Sequence, residues 1–297
     1  MQRNFWFTIV GVTLSGLAVG QVKKHFVVED SHVCENINLC LKANSGNCFI
    51  KPSQNSDILN VFSNQDDEDY SHNFKKEIKG KTCDVLLKLE ENHTEGMSQS
   101  ISARFFGSEN NSSDRYWKMY LTDNKPYTLE LAYGVGNANV DLSGLSIKKL
   151  KINTGSADVN VGYTSLENQV DMDTFFIKVD LGSVNVKNLN LSRSRYVVAD
   201  VGFGNILLDF SNKPLVSNRV KGSVGAGNLV ILLPAEETPI LVRIHDSWLC
   251  SVKMPSYLKK VNADDNTFAN ASYTKDSKNT LTFDVDVSMG SIVFKEH

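Results

Sequence analysis

Apolar and polar residues alternate in short bursts along most of this chain, and the bursts are interrupted by Gly followed by Asn or Ser. Seven such breaks start at Gly46, Gly136, Gly155, Gly182, Gly204, Gly227 and Gly290, reading GNCFI, GNANV, GSADV, GSVNV, GNILL, GNLVI and GSIVF. Five and three residues before the Gly, thirteen of fourteen positions are apolar, Gly222 being the exception. Two and four residues after it, all fourteen are apolar. A period of two on both sides predicts strand, break, strand, each arm with one buried face.

The phase moves by one residue across the break: Leu150 and Ile152 are even-numbered, whereas Ala157, Val159 and Val161 are odd-numbered. A continuous strand would throw its second half onto the solvent face. Each Gly-Asn or Gly-Ser pair is therefore expected to be a two-residue corner that keeps both arms on one core. Gly would supply a positive φ, and Asn or Ser would bond to the turned backbone. A tight hairpin with a type II′ turn satisfies the pattern, and so does the corner of a solenoid coil whose arms pair with neighbouring coils. The central intervals of 19, 27, 22 and 23 residues favour an all-β, solenoid-like (β-helix) stack with little helix. A β-sandwich built of hairpins is the alternative.

The first twenty residues break this cadence and read as a signal peptide. Arg3 supplies the positive charge, Phe5 to Val19 the apolar stretch, and Ala18-Val19-Gly20 a small-residue cleavage site before Gln21. The apolar run is shorter than the ~20 residues a spanning helix needs, and no later segment is long and apolar enough. The expectation is an exported protein, periplasmic, cell-surface or secreted, with no membrane span after cleavage. Residues 21–297 read as a single β-repeat domain, any subdivision (21–110 and 111–297) falling near Glu109 to Asp114. Pro234 to Asn279 interrupts the repeats before a last copy at Leu281 to Phe294 closes the chain.

A net charge of −3 with 22% charged residues leaves no basic footprint for nucleic acid. Five cysteines, Cys34, Cys40, Cys48, Cys83 and Cys250, leave at least one thiol unpaired within the chain. Strand phase turns Cys48, Cys83 and Cys250 inward, where free thiols act as small hydrophobes. A Cys34–Cys40 or Cys48–Cys83 bridge also fits, and neither spacing is a zinc pattern.

The chemical motifs are weak. Gly222-x-x-Gly225-x-Gly227 is followed by a strand, not by the helix a dinucleotide loop needs. Leu142 to Leu150 has the leucine spacing of a leucine-rich repeat but lacks its coil-tying Asn. The acidic run Asp66 to Asp69 lacks the spaced ligands of a calcium loop and reads as solvated. The six histidines are scattered, GxSxG is missing, and Asp173, Asp180 and Asp200 read as solubilising carboxylates rather than a glycosidase pair. No cofactor or metal site is expected. Tyr116-Trp117-Lys118-Met119-Tyr120-Leu121 puts Trp117, Met119 and Leu121 on one face and Tyr116 and Tyr120 on the other. If the first face is core, Tyr116 and Tyr120, with Trp248, are candidates for a binding surface.

The stretch LELAYGVGNANVDLSGLSIKKLKINTGSAD (Leu129 to Asp158), followed by DLGSVNV, DVGFGNILLDF and SVGAGNLVILLP, resembles bacterial envelope families named "putative adhesin head" and "toast-rack" domains of unknown function. The resemblance covers Leu129 to Leu233 and the final copy. It implies an exported bacterial β-helix-like stack and supplies no catalytic residues. The expected role is a non-enzymatic structural or interaction protein, adhesin-like, with an envelope or extracellular protein or glycan as partner. A carbohydrate-binding solenoid and an envelope stress-sensing domain are the alternatives.

Overall fold

The computed structural model describes residues 23–66, 68, 70–91, 115–246, 248–261 and 266–296. The signal peptide with its cleavage site and the possible subdivision point at Glu109 to Asp114 lie outside the described residues, as does the run Ser98 to Phe106, whose sequence predicts a strand. So do Asp67 and Asp69 of the acidic run. In chain order the strands are β1 (Lys23–Val28), β2 (Asn36–Ala43), β3 (Asn47–Ser53), β4 (Leu59–Ser63), β5 (Tyr70–Lys79), β6 (Thr82–Glu91), β7 (Tyr116–Thr122) and β8 (Pro126–Tyr133). There follow β9 (Asn137–Asp141), β10 (Ser146–Thr154), β11 (Asp158–Gly162), β12 (Met172–Val179), β13 (Ser183–Lys187), β14 (Ser194–Val201), β15 (Asn205–Asp209) and β16 (Asn218–Val224). The last are β17 (Asn228–Leu233), β18 (Ile240–Asp246), β19 (Ser251–Lys253), β20 (Lys259–Lys260), β21 (Thr267–Ala269), β22 (Leu281–Val287) and β23 (Ser291–Glu296). Among the described residues the helical content is one 3-10 turn, Leu189–Ser192.

These strands form two sheets. One has eleven strands in the order β1-β4-β7-β3-β9-β11-β13-β15-β17-β23-β19, the other twelve in the order β20-β21-β18-β22-β16-β14-β12-β10-β8-β2-β6-β5. The arms flanking each Gly corner, such as β8 and β9, lie in different sheets and pair in parallel with the equivalent arms of adjacent coils. The corners are therefore solenoid arcs. Antiparallel strands close the two ends of the stack, β1, β4 and β5 at one and β20 and β21 at the other.

Every apolar position on which the repeat was read, before and after the Gly, is buried between the two sheets. So is Gly222, where a Cβ would sit 2.9 Å from Leu229 Cδ2 and 3.1 Å from Val285 Cγ1; its neighbours fill the space a side chain would take. Trp117, Tyr127, Phe175, Phe210 and Phe283 are among the largest side chains in this interior.

Stacking order departs from chain order at both ends. β2 and β3 lie between the coil arms β6 and β7 on one side and β8 and β9 on the other. Near the other end β22 and β23 slot between β16/β17 and β18/β19. Leu281 to Phe294 is thus an internal coil, and the strands of the irregular Pro234 to Asn279 segment lie beyond it. The phase of a repeat does not encode its place in the stack, so a copy that comes last in the chain can occupy an internal coil.

The cysteines pair as Cys34–Cys83, 49 residues apart with Cα atoms 5.6 Å apart. This replaces both pairings considered from the sequence. Cys40 lies on the outer phase of β2, away from buried Cys34, and Cys48 faces the core from the other sheet. Backbone bonds from Glu35 and Asn36 to Lys81 O lay the Cys34 turn beside the start of β6. Cys48 is free and buried, and burial pushes its thiol up to about 12. Cys40 and Cys250 are free and half-buried.

Candidate interaction surface

The corners are built from the backbone outward. Strand registers place Asn47, Asn137, Asp158, Ser183, Asn205, Asn228 and Ser291 side by side as the first residue after each corner. The corners are therefore three residues long: Asn44 to Gly46, Gly134 to Gly136, Gly155 to Ala157, Asp180 to Gly182, Gly202 to Gly204, Gly225 to Gly227 and Ser288 to Gly290. This corrects the two-residue corner. It also moves the third copy by two residues, because Ala157, not Gly155, aligns with the other corner glycines. Gly155 aligns instead with Gly134, and Thr154 Oγ1 donates to Ala157 O at 2.9 Å to close that corner.

The reason for Gly also changes. Only Gly46 and Gly136 of the seven hold a clearly positive φ, 94° and 110°. Elsewhere the requirement is room for stacking. A Cβ on Gly204 would lie 2.2 Å from Gly182 O, and one on Gly227 2.1 Å from Gly204 O, far inside van der Waals contact. Each of these carbonyls accepts a hydrogen bond from the next coil, as in Asn205 N to Gly182 O and Asn228 N to Gly204 O, both 3.0 Å. The Asn or Ser after the Gly forms a side-chain ladder. Asn137 Nδ2 donates to Asn47 Oδ1 (3.2 Å), Ser183 Oγ to Asp158 Oδ1 (2.7 Å), Asn228 Nδ2 to Asn205 Oδ1 (2.8 Å) and Ser291 Oγ to Asn228 Oδ1 (2.6 Å).

The middle corner residue points outward and changes character along the stack. In the first three repeats it is Ser45, Val135 and Ser156, all half-buried. In the next four it is Leu181, Phe203, Ala226 and Met289, and Leu181, Phe203 and Met289 are 63%, 72% and 60% exposed. Backbone bonds Leu181 N to Gly155 O, Phe203 N to Asp180 O, Ala226 N to Gly202 O and Met289 N to Gly225 O keep them in single file. The corner between β18 and β19 continues the row with Trp248 and Leu249, 91% and 51% exposed. At ~4.8 Å per coil the row from Leu181 to Trp248 spans about 19 Å. It is a narrow apolar ridge on an otherwise polar edge.

The three aromatics singled out in the sequence are not brought together. Tyr116 and Tyr120 lie on the outer phase of β7 while Trp117, Met119 and Leu121 are buried. Lys118 Nζ sits 4.4 Å over the Tyr116 ring, and Tyr120 meets Phe62 edge-to-face at 5.7 Å. Trp248 is at the far end of the stack, eight strand spacings or about 38 Å away. The sequence missed Leu181, Phe203 and Met289 because the corner was framed as two residues. In the three-residue frame an apolar side chain just before the last Gly is the signal that finds them.

A second feature lies on the twelve-stranded sheet, an open groove of about 790 Å³ lined in part by Asp171, Asp173, Arg195, Tyr196, Arg219 and Thr282. Tyr196 is 46% exposed and in register between Thr174 and Arg219. Asp171 accepts from Arg193 at 2.8 Å and from Arg195 at 3.0 Å, and these bonds hold its carboxyl below the usual carboxylate range. Asp173 and Asp180 are engaged by Lys149 and Lys178 in surface ion pairs. Among the described residues no group of three or more His, Cys, Asp or Glu is placed to hold a metal ion, and no helix is long and apolar enough to cross a membrane.

No curated protein matches the chain at a significant level. Among solved structures it is similar to a putative cell adhesion protein from Clostridium sporogenes, with 17% identity over 93% of this chain and 100% of that one and a TM-score of 0.44. It is also similar to a putative lipid binding protein from Parabacteroides distasonis, with 10% identity over 92% and 96% and a TM-score of 0.33. Similarity this low carries no functional weight. The family model described as the N-terminal domain of toast_rack, DUF2154, matches residues 19–182, more than half of the chain, and with it the stacked all-β architecture places this protein in the toast-rack family.

Proposed function

We propose that this chain is a non-enzymatic, exported interaction protein of the cell envelope or extracellular space, adhesin-like, which presents a rigid β surface to a partner. The observation that carries this reading is the apolar ridge from Leu181 to Trp248. Soluble surfaces rarely keep large apolar side chains in a contiguous row unless something covers them. The ridge is mounted on a filled, hydrogen-bonded stack, so its spacing is fixed by the backbone. The signal-peptide pattern supports export, and so does the Cys34–Cys83 bridge, since such bonds persist in oxidising compartments.

The test is retention of the protein by an envelope extract, run beside a glycan array. Ridge-dependent retention, lost on Phe203→Asp, supports the reading. Retention that ignores the ridge counts against it. Export is checked by N-terminal sequencing of the secreted product, where a start far from Gln21 would contradict it.

A carbohydrate-binding role is the second reading, favoured by exposed Tyr196 in its polar groove, since a tyrosine ring can stack on a sugar while Arg and Asp hydrogen-bond its hydroxyls. A glycan hit abolished by Tyr196→Ala would move the assignment there.

A further inference from the structure

We infer that the ridge docks on a lipid surface, its side chains entering the interfacial layer of a zwitterionic bilayer. This rests on the interaction reading above and names its partner. Shape is the first reason. The ridge is convex and a single side chain wide, so a protein partner would need a matching groove, whereas a bilayer deforms around it. Area is the second. Interfacial insertion needs only a few apolar groups at shallow depth, and the exposed side chains of Leu181, Phe203, Met289, Trp248 and Leu249 supply that area in one narrow row.

Composition is the third reason. Leu, Phe, Met and Trp are residues that enter the boundary between headgroups and acyl chains, and Trp is enriched there. Trp248, the most exposed of them at 91%, stands at one end of the row. The flanks decide the lipid class. On one side runs the uncharged ladder of Ser183, Asn205, Asn228 and Ser291, able to hydrogen-bond headgroups. On the other, two residues before each corner, stand Lys178, Asp200, Ser223 and Asp286. With Lys178 against Asp200, Asp286 and the corner's own Asp180, this edge has none of the clustered basic residues that select anionic lipid. The corner backbone is bonded from coil to coil, so side chains can enter the bilayer without exposing unpaired amides to it.

The apolar N-terminal stretch would itself hold the full chain on vesicles, so the measurement must report on the ridge alone. The chain has three tryptophans, Trp6, Trp117 and Trp248. Trp117 is 1% exposed and out of a quencher's reach, and Trp6→Phe removes the first. In this full-length variant, phosphatidylcholine vesicles with brominated acyl chains should quench and blue-shift Trp248. Phe203→Asp with Met289→Asp should abolish that quenching and reduce ridge partitioning by about tenfold or more. Leu181→Asp repeats the test at the other end of the row. The Trp117 emission reports that each variant is folded.

Vesicle-bound protein whose Trp248 emission stays unquenched and water-like overturns the proposal. So does a blue shift that follows protein concentration without lipid and coincides with a dimer in sedimentation, which would assign the ridge to a second copy. If Trp248 is unquenched while envelope retention still depends on Phe203, the lipid proposal fails and the interaction reading stands.

Discussion

The two edges of this stack solve one problem with different materials. Where the chain turns at the Gly corners, three residues suffice and the backbone supplies nearly everything, with carbonyls stacked on glycines and amides bonded from coil to coil. Where it returns, the connections vary in length and are held by buried side chains. Asn168, fully buried, accepts from Ile147 N at 2.8 Å and donates to Ile147 O and Val170 O at 2.8 and 2.6 Å. Asn270 likewise accepts from Ile240 N and donates to Glu236 O and Thr238 O, and Asn218 Nδ2 bonds Ser194 O. The corner edge therefore cannot admit one methyl group at Gly182, Gly204, Gly227 or Gly290, where a Cβ would meet a backbone carbonyl oxygen at 2.1 or 2.2 Å, while its outward positions are free to vary. The return edge tolerates length changes but depends on single polar residues.

The largest effect is expected from breaking the corner. Gly227→Val forces a Cβ to within 2.1 Å of Gly204 O, and a loss above about 4 kcal/mol, the exceptional class for a point change, should appear in urea unfolding or as failure to fold. Next is the staple. Cys83→Ala reopens a loop of 49 residues, worth about 4 kcal/mol by loop entropy, and should lower the urea midpoint accordingly. On the return edge, Asn168→Ala strands the Ile147 amide and carbonyl and should cost about 3 kcal/mol.

Asp171→Asn should change stability at neutral pH by no more than about 1 kcal/mol, since its ion pairs with Arg193 and Arg195 are partly exposed. Its folded pKa is depressed, so the native carboxylate stabilises above the unfolded pKa, and that contribution is lost as pH falls through the folded one. The variant's acid unfolding should lack this part of the pH slope. Smallest of all, Phe203→Ser at the same corner edge should stay within about 0.5 kcal/mol of the parent in thermal melts. A corner edge that responds strongly to Phe203→Ser, or weakly to Gly227→Val, would break the contrast between the edges.

How much of this was legible beforehand follows the same division. The corner edge repeats because identical backbone stacking recurs in every coil; its apolar phases foretold both buried arms, and the intervals of 19, 27, 22 and 23 residues favoured the solenoid over a hairpin sandwich. The frame was misread because Gly155 imitates a corner glycine while belonging to the preceding column. The glycines were credited to φ because stacking distance leaves no trace in a single coil. Asn168, Asn218 and Asn270 occur at no fixed spacing from the corners, so nothing in the pattern marked them. Pairing of Cys34 with Cys83 depends on β6 lying beside β2, an out-of-order neighbour that alternation cannot reveal.

The slotting of β22 and β23 between older neighbours has a consequence in time. β18 and β19 pair in parallel only with β22 and β23, so until residues 281–296 are in place they have no coil to dock on, and the edges of β16 and β17 stay open. Open strand edges are ready acceptors for any foreign extended segment. Closure is then a late, long-range pairing step, of the kind that slows β proteins and exposes them to aggregation.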